Sequence, residues 1–241
     1  MDNILKLALG PILLWQGKHV RKITPRLPEA NGPRHGTHGS GPRKITLLVI
    51  GDSAAAGVGV DSQENSLAGQ LVRSFGSEFS VSWMLLAKSG ITTAGMNELL
   101  LTRELGTFDL AVTSLGVNDV KSGVPPLEWL KQQKQLISYL KHSCNIRQIV
   151  ISAVPPMEKF PALPWPLGWF LGRQAKEMNS LMAKWISKQK GLHFLEFNIP
   201  LESDLMAKDG FHPGPKLHTI WAGQAIDLVC DSLIADKRGD S

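Results

Sequence analysis

The chain has few cysteines and no repetitive sequence. Of its 241 residues only Cys144 and Cys230 carry thiols, and they form neither a CxxC motif nor a metal-ligand spacing. We expect no metal, no cofactor and no disulfide-rich framework. Two buried thiols are the simplest expectation, with one disulfide between them as the alternative. Internal repeats and low-complexity tracts are also absent, while a hydrophobic fraction of 43% is ordinary for a globular protein.

A long apolar run is also missing. Residues 4–15 are apolar, but a membrane-spanning helix needs about 20 such residues, and Gly10-Pro11 interrupts this segment. No small-x-small cleavage site follows, so we expect no cleavable signal peptide and a cytoplasmic protein. Two alternatives remain open: the segment packs on the body, or it contacts a membrane surface peripherally. In the second case lipid phosphates would lie near four basic residues, namely Lys18, Arg21, Lys22 and Arg26.

The net charge of +5 is unevenly distributed. Residues 1–44 contain eight Lys and Arg against two Asp and Glu, so the rest of the chain is close to neutral. A nucleic-acid-binding domain requires a basic face on the folded body, and we therefore predict no nucleic-acid partner. Residues 24–43 are rich in Pro, Gly and His, which predicts an extended linker or a strap over the surface.

From residue 44 onward, apolar runs alternate with segments of helical periodicity. This alternation predicts an α/β fold with a parallel sheet of about five strands and helices on both faces. The predicted strands cover residues 45–50, 81–87, 110–115, 149–154 and 193–197. The predicted helices cover residues 63–75, 93–104, 127–141, 174–188 and 216–235.

Candidate catalytic residues follow three of these strands or precede the last helix. Ser53 follows the first strand, Gly90 the second and Asn118 the third, while Asp209 and His212 share the last loop. The carboxyl ends of parallel strands meet at one edge, so these residues are expected to converge. Alone, Ser53 would be read as a helix N-cap, and a phosphate-binding loop is disfavoured because its Lys-Ser/Thr ending is absent.

The residue types fit nucleophilic catalysis. A serine hydroxyl attacks only when a base takes its proton, and His212 is the candidate base, oriented by Asp209. Ser53 and Gly90, through backbone N–H groups, and Asn118, through its amide, are the candidate donors for an oxyanion. Taken singly, each position also fits an ordinary turn.

These motifs resemble those of the SGNH hydrolases, or GDSL-type esterases and lipases. The four matching blocks are Gly51-Asp52-Ser53, Gly90, Gly116-Val117-Asn118-Asp119 and Asp209-Gly210-Phe211-His212-Pro213. The usual leucine after the serine is Ala54 here, a position without a chemical role. The resemblance implies a flavodoxin-like three-layer α/β/α fold and metal-free ester hydrolysis through an acyl-serine. It places the catalytic domain at residues 43–241, after a basic extension of residues 1–42.

An apolar segment at residues 154–170 is the candidate substrate wall or lid. Its aromatic members are Phe160, Trp165, Trp169 and Phe170. The alternative is that the segment packs against the N-terminal extension. Few charges occur there, so we predict a small-molecule substrate, either a neutral ester with a short to medium acyl chain or a lipid. A lysophospholipase, a thioesterase, a carbohydrate deacetylase and a non-catalytic lipid- or glycan-binding module are alternatives on the same fold.

Overall fold

A twisted sheet of aliphatic strands forms the centre of the protein. The computed structural model describes residues 2–197, 199 and 201–239. Within these residues the strands are β1 (His35–His38), β2 (Arg43–Gly51), β3 (Phe79–Ala87), β4 (Leu110–Ser114), β5 (Gln148–Ser152) and β6 (Leu192–Leu195). They lie in the order β1-β3-β2-β4-β5-β6. Strands β2 to β6 are parallel, and β1 pairs antiparallel with β3 at the edge.

Helices cover both faces of the sheet. They are α1 (Asp2–Ile23), α2 (Leu67–Ser74), α3 (Thr93–Leu101), α4 (Val117–Lys121), α5 (Pro126–His142), α6 (Leu167–Ile186), α7 (Pro215–Asp227) and α8 (Cys230–Gly239). Apolar residues of α3, α5 and α6 pack into one core on one face, and those of α2 and α7 into a second core on the other. Central strands with apolar side chains on both faces fit between two such layers. The predicted three-layer fold is therefore confirmed.

The observed elements differ from the prediction at several boundaries. Helix α6 begins at Leu167 instead of residue 174, and the closing helix is divided into α7 and α8. Helix α4 lies in the segment after β4, where no helix was predicted. Strand β1 was not predicted, because its four residues are all exposed and show no apolar alternation. Cys144 and Cys230 are free, so they do not form the alternative disulfide.

Residues 24–43 follow the strap alternative. Ala30 N–H donates to Ala56 O at 3.3 Å, and Asn31 N–H donates to Asp61 O at 3.1 Å. Strand β1 then extends the sheet beside β3. The predicted domain boundary lies between residues 42 and 43. The strap hydrogen bonds and strand β1 both come before it, so residues of the N-terminal extension form part of the same sheet. No helix in the described part of the chain is long and apolar enough to span a membrane.

Candidate active site

The end of β2 presents Ser53 at the carboxyl edge of the sheet. Asp52 N–H donates to Ser114 O at 3.1 Å, which keeps the chain beside β4 as it leaves the sheet. The Asp52 carboxylate then accepts from Ala54 N–H at 3.1 Å, and Val58 N–H donates to Ser53 O at 3.0 Å. These bonds fold the backbone tightly around the serine, so its side chain projects from a fixed turn.

The loop before α7 is organised by the carboxylate of Asp209. Its Oδ1 accepts from the backbone N–H groups of Phe211 and His212, each at 3.0 Å. Gly210 has φ +62°, a left-handed conformation that a residue with a side chain rarely adopts. The chain therefore reverses direction at Gly210. This brings the His212 ring next to the carboxylate that also binds the backbone N–H of His212.

Ser53, His212 and Asp209 form a hydrogen-bonded line. His212 Nε2 lies 2.9 Å from Ser53 Oγ, and His212 Nδ1 lies 2.6 Å from Asp209 Oδ2. Burial alone would raise the pKa of Asp209, but hydrogen bonds from the His212 ring and from the two backbone N–H groups outweigh it and lower the pKa. The carboxylate is thus ionised next to the imidazole, and this arrangement can withdraw a proton from the hydroxyl.

A glycine allows the two loops to approach each other. A Cβ atom on Gly59 would lie 2.8 Å from the Cβ of Ala207 and 2.8 Å from Pro213 O. Gly59 also has φ +107°, which disfavours any side chain. Contact between the Ser53 loop and the His212 loop therefore depends on the absence of a side chain at residue 59.

Two of the three predicted oxyanion donors are unoccupied. Among the described residues, neither the Ser53 nor the Gly90 N–H has a hydrogen-bond acceptor. The third donor, the Asn118 amide, already has acceptors: its Nδ2 donates to Ile91 O at 3.0 Å and to Asp52 Oδ2 at 3.3 Å. Both amide hydrogens are thereby used, so donation to an oxyanion would require exchange of one of these bonds.

The strap fixes the loop that carries Gly90. Glu29 Oε1 accepts from Ser89 N–H at 3.0 Å and from Ser89 Oγ at 2.6 Å, and its other oxygen is paired with Arg34. Arg34 Nη1 in turn donates to Ala87 O at 2.6 Å, at the end of β3. This clamp was missed at the sequence level, because nothing in a Pro- and Gly-rich segment indicates which distant loop it contacts.

An apolar pocket opens beside Ser53. It holds about 570 Å³ of space when its open, solvent-filled mouth is counted. Asp52 and His212 are the charged or titratable residues in its lining. The apolar lining comprises Leu115, Val117, Val154, Phe160, Phe197, Leu201, Met206, Phe211, Leu217 and Trp221, with Ala, Pro and Ser residues between them.

The structure places the four aromatic residues of the predicted substrate wall in different surroundings. Phe160 lines the pocket, but Trp165, Trp169 and Phe170 do not belong to its lining. Helix α6 begins at Leu167, so Trp169 and Phe170 lie on that helix, and Trp165 remains 79% exposed. Much of the wall comes instead from residues 197–217, where the Asp-x-x-His loop itself supplies Phe211.

Two buried titratable groups lie close to this site. Burial raises the pKa of Asp52 to about 6, although its hydrogen bond from Ala54 and the charge of His212 oppose the shift. His218 is fully buried, neither ring nitrogen has a partner among the described residues, and burial lowers its pKa to about 3. His218 is therefore neutral near pH 7 and cannot replace His212 at Ser53 Oγ. No group of three or more His, Cys, Asp or Glu in the described chain could hold a metal ion.

Comparison with known proteins identifies the family. The model of the GDSL-like Lipase/Acylhydrolase family matches residues 49–220, which is most of the chain. The chain belongs to this family. No curated protein sequence matches it.

Solved structures support the fold. The psychrotrophic esterase EstA from Pseudoalteromonas sp. is 22% identical with a TM-score of 0.59, covering 78% of this chain and 98% of that one. A family 3 carbohydrate esterase from Clostridium thermocellum is 17% identical with a TM-score of 0.58, covering 80% and 98%. Est24, a carbohydrate acetylesterase from Sinorhizobium meliloti, is 18% identical with a TM-score of 0.55, covering 78% and 99%. At these identities the likeness shows the fold alone.

Proposed function

We propose that this GDSL-like hydrolase cleaves carboxylic esters through an acyl-enzyme formed on Ser53. The observation that carries the proposal is the continuous hydrogen-bonded line from Ser53 Oγ through His212 to the buried carboxylate of Asp209. A serine with this partner is activated for attack on an acyl carbon. The unoccupied N–H groups of Ser53 and Gly90 lie on the loops where an oxyanion would need donors.

The reaction proceeds in two halves. Ser53 Oγ attacks the ester carbonyl carbon while His212 Nε2 takes the hydroxyl proton, and the carbonyl oxygen becomes an oxyanion. Collapse expels the alcohol, which receives that proton from His212, and leaves an acyl-serine. Water then attacks the acyl carbon and gives its proton to His212. Expulsion of the reprotonated Ser53 releases the carboxylic acid and restores the resting enzyme.

The substrate proposed is a neutral ester with a short to medium acyl chain, or a lipid ester. The pocket beside Ser53 is walled by apolar groups such as Phe160, Met206 and Trp221, and none of the Lys and Arg residues that the structure describes lines it. An alkyl chain gains free energy on entering such walls, by about 0.8 kcal/mol per buried CH₂ group. A charged acyl chain would lose hydration there without finding a partner.

Hydrolysis of p-nitrophenyl esters of rising chain length tests this proposal. We expect kcat/KM to rise from acetate and then to fall once the chain exceeds the pocket. Ser53→Ala should abolish turnover, whereas Ser122→Ala, the same change at an exposed serine at the end of α4, should leave it intact. Turnover of acetylated sugars alone would favour a carbohydrate deacetylase, and a preference for thioesters or lysophospholipids would favour those enzymes.

A non-catalytic binding module is the remaining alternative. It would bind esters or glycans in the same pocket but release them unchanged, and Ser53→Ala would then bind as the wild type does. Undiminished ester hydrolysis by purified Ser53→Ala would instead refute the role of Ser53 directly.

A further inference from the structure

Helix α1 has one face attached to the body. Gln16 is buried on that face; its Nε2 donates to Trp165 O at 2.9 Å, and its Oε1 accepts from Leu167 N–H at 3.1 Å. Both contacts are to the segment where α6 begins. Helix α1 therefore packs on the body, which was one of the two alternatives for this segment, but only part of its surface does so.

The other face combines exposed apolar and basic side chains. Leu14 is 69% exposed and Trp15 is 65% exposed, and Trp165 on the adjoining loop is 79% exposed. Lys18 and Lys22 are exposed on the same helix, and the sequence has no Asp or Glu between residues 3 and 28. Single exposed apolar residues are ordinary, but neighbouring ones with cations among them mark an interaction site.

This surface adjoins the pocket. The loop that Gln16 holds starts at Phe160, which lines the pocket, and its Ala162 N–H donates to Gly210 O at 3.1 Å in the His212 loop. Lys121 is exposed, and its ammonium stands 5.1 Å from the centre of the Phe211 ring, which also lines the pocket. Partial burial of the ammonium lowers the pKa of Lys121, although the charge of Asp52 opposes this shift.

We propose that the outward surface formed by Leu14, Trp15, Lys18, Lys22 and Trp165 docks on an anionic lipid bilayer. Tryptophan is enriched at the boundary between lipid headgroups and acyl chains, because its ring is apolar and its N–H is polar. Lysines at that depth meet lipid phosphates. A helix lying in the headgroup layer would hold the pocket at the membrane, where a lipid ester can enter it. This docking does not depend on the chemistry of Ser53.

Co-sedimentation of the full chain with lipid vesicles tests the proposal. We expect binding to vesicles of phosphatidylcholine mixed with phosphatidylserine, weaker binding to pure phosphatidylcholine, and loss of the difference at high salt. Trp15→Gln should weaken binding about tenfold through the lost apolar contact. Lys18→Gln and Lys22→Gln should each weaken it about fivefold.

Two matched substitutions serve as controls. Leu101→Gln removes a side chain that is 79% exposed at the end of α3, and Lys188→Gln removes a cation beyond the far end of α6, about 30 Å from Leu167 by the rise of a helix. Both variants should bind vesicles as the wild type does. Ser53→Ala should also bind, so failure of docking and failure of hydrolysis are separate outcomes.

Three results would overturn the proposal. These are absence of vesicle binding, equal binding to both kinds of vesicle at low salt, and undiminished binding of Trp15→Gln. A second copy of the chain is the alternative occupant of the surface. A dimer in sedimentation equilibrium that Trp15→Gln abolishes would assign the surface to that copy instead.

Discussion

Replacing Asp209 with asparagine changes one of its two carboxylate oxygen atoms into an NH₂ group and leaves the other in place. Oδ1 holds the loop through two backbone N–H groups at 3.0 Å each, and Oδ2 accepts from His212 Nδ1 at 2.6 Å. If the amide oxygen of Asp209→Asn keeps the loop, its NH₂ group faces Nδ1. The ring must then carry its hydrogen on Nε2, which faces Ser53 Oγ and can no longer accept the proton. A wrong tautomer of this kind costs about 10⁴-fold in turnover.

The opposite amide orientation is also costly. It restores the acceptor for Nδ1 but turns the NH₂ group toward the two backbone N–H groups. Each unpaired donor costs about 1–3 kcal/mol. Two such donors together cost at least about 2 kcal/mol, which lowers the population of the productive state, so we expect kcat/KM to fall by at least about 30-fold whichever orientation is taken. The folded loop should persist, because one orientation keeps its hydrogen bonds.

The assay is p-nitrophenyl ester hydrolysis, with circular dichroism melting to verify the fold. Asp204→Asn is the matched control, since this carboxylate is exposed, contacts Lys216 at 3.4 Å and lies near the same loop. It should hydrolyse esters at the wild-type rate. A folded Asp209→Asn variant with kcat/KM within tenfold of the wild type would refute the assigned role of Asp209.

Three further predictions concern the surroundings of the site. Burial raises the pKa of Asp52 to about 6 from an ordinary 3.8, so its stabilising contribution is complete below about pH 4 and is lost as the pH rises through 6. The wild type should therefore lose about 1 kcal/mol more free energy of unfolding between pH 5 and pH 8 than Asp52→Asn, measured in urea; equal losses would contradict the buried carboxylate. Glu29→Gln should loosen the Gly90 loop and lower kcat about tenfold with little change in KM, because one oxyanion donor is misplaced. Glu78→Gln, which removes an exposed ion pair with Arg43 at the start of β2, should leave kcat unchanged. Gly59→Ala should lower both the melting temperature and kcat, at a cost of about 1–3 kcal/mol of stability. Gly76→Ala, where φ is also positive (+72°) but no atom lies within 4 Å of the added Cβ, should change stability less and kcat not at all.

The strands and the residues at their ends could be predicted because local sequence determines them. The run before Gly51 is continuously apolar and forms β2, and the parallel arrangement brings the loops after the strands to one edge. Ser53, Asp209 and His212 meet there as expected from motif order, although their chemical roles stay predictions. Gly90 lies at the same edge, at the end of β3.

Features that depend on contacts distant in sequence could not be predicted. Strand β1 has the sequence His-Gly-Thr-His and exists through its pairing with β3, and the pairing of Glu29 with Ser89 spans 60 residues. Trp169 was placed in an apolar loop beyond the fourth predicted strand, whereas α6 begins at Leu167 and includes it. The two acceptors of the Asn118 amide, Asp52 and Ile91, could not be predicted either, because they become its neighbours only in the folded chain.

The most direct test of the account is covalent labelling with a fluorophosphonate, followed by peptide mapping by mass spectrometry. Such reagents modify a serine whose hydroxyl is activated by a neighbouring base. Because His212 Nε2 lies 2.9 Å from Ser53 Oγ, we predict a single adduct on Ser53, formed in step with loss of esterase activity and absent from Ser53→Ala. Two results would contradict the claim that this serine is the nucleophile. One is an adduct on another residue, and the other is full esterase activity with Ser53 still unlabelled after treatment with an excess of reagent.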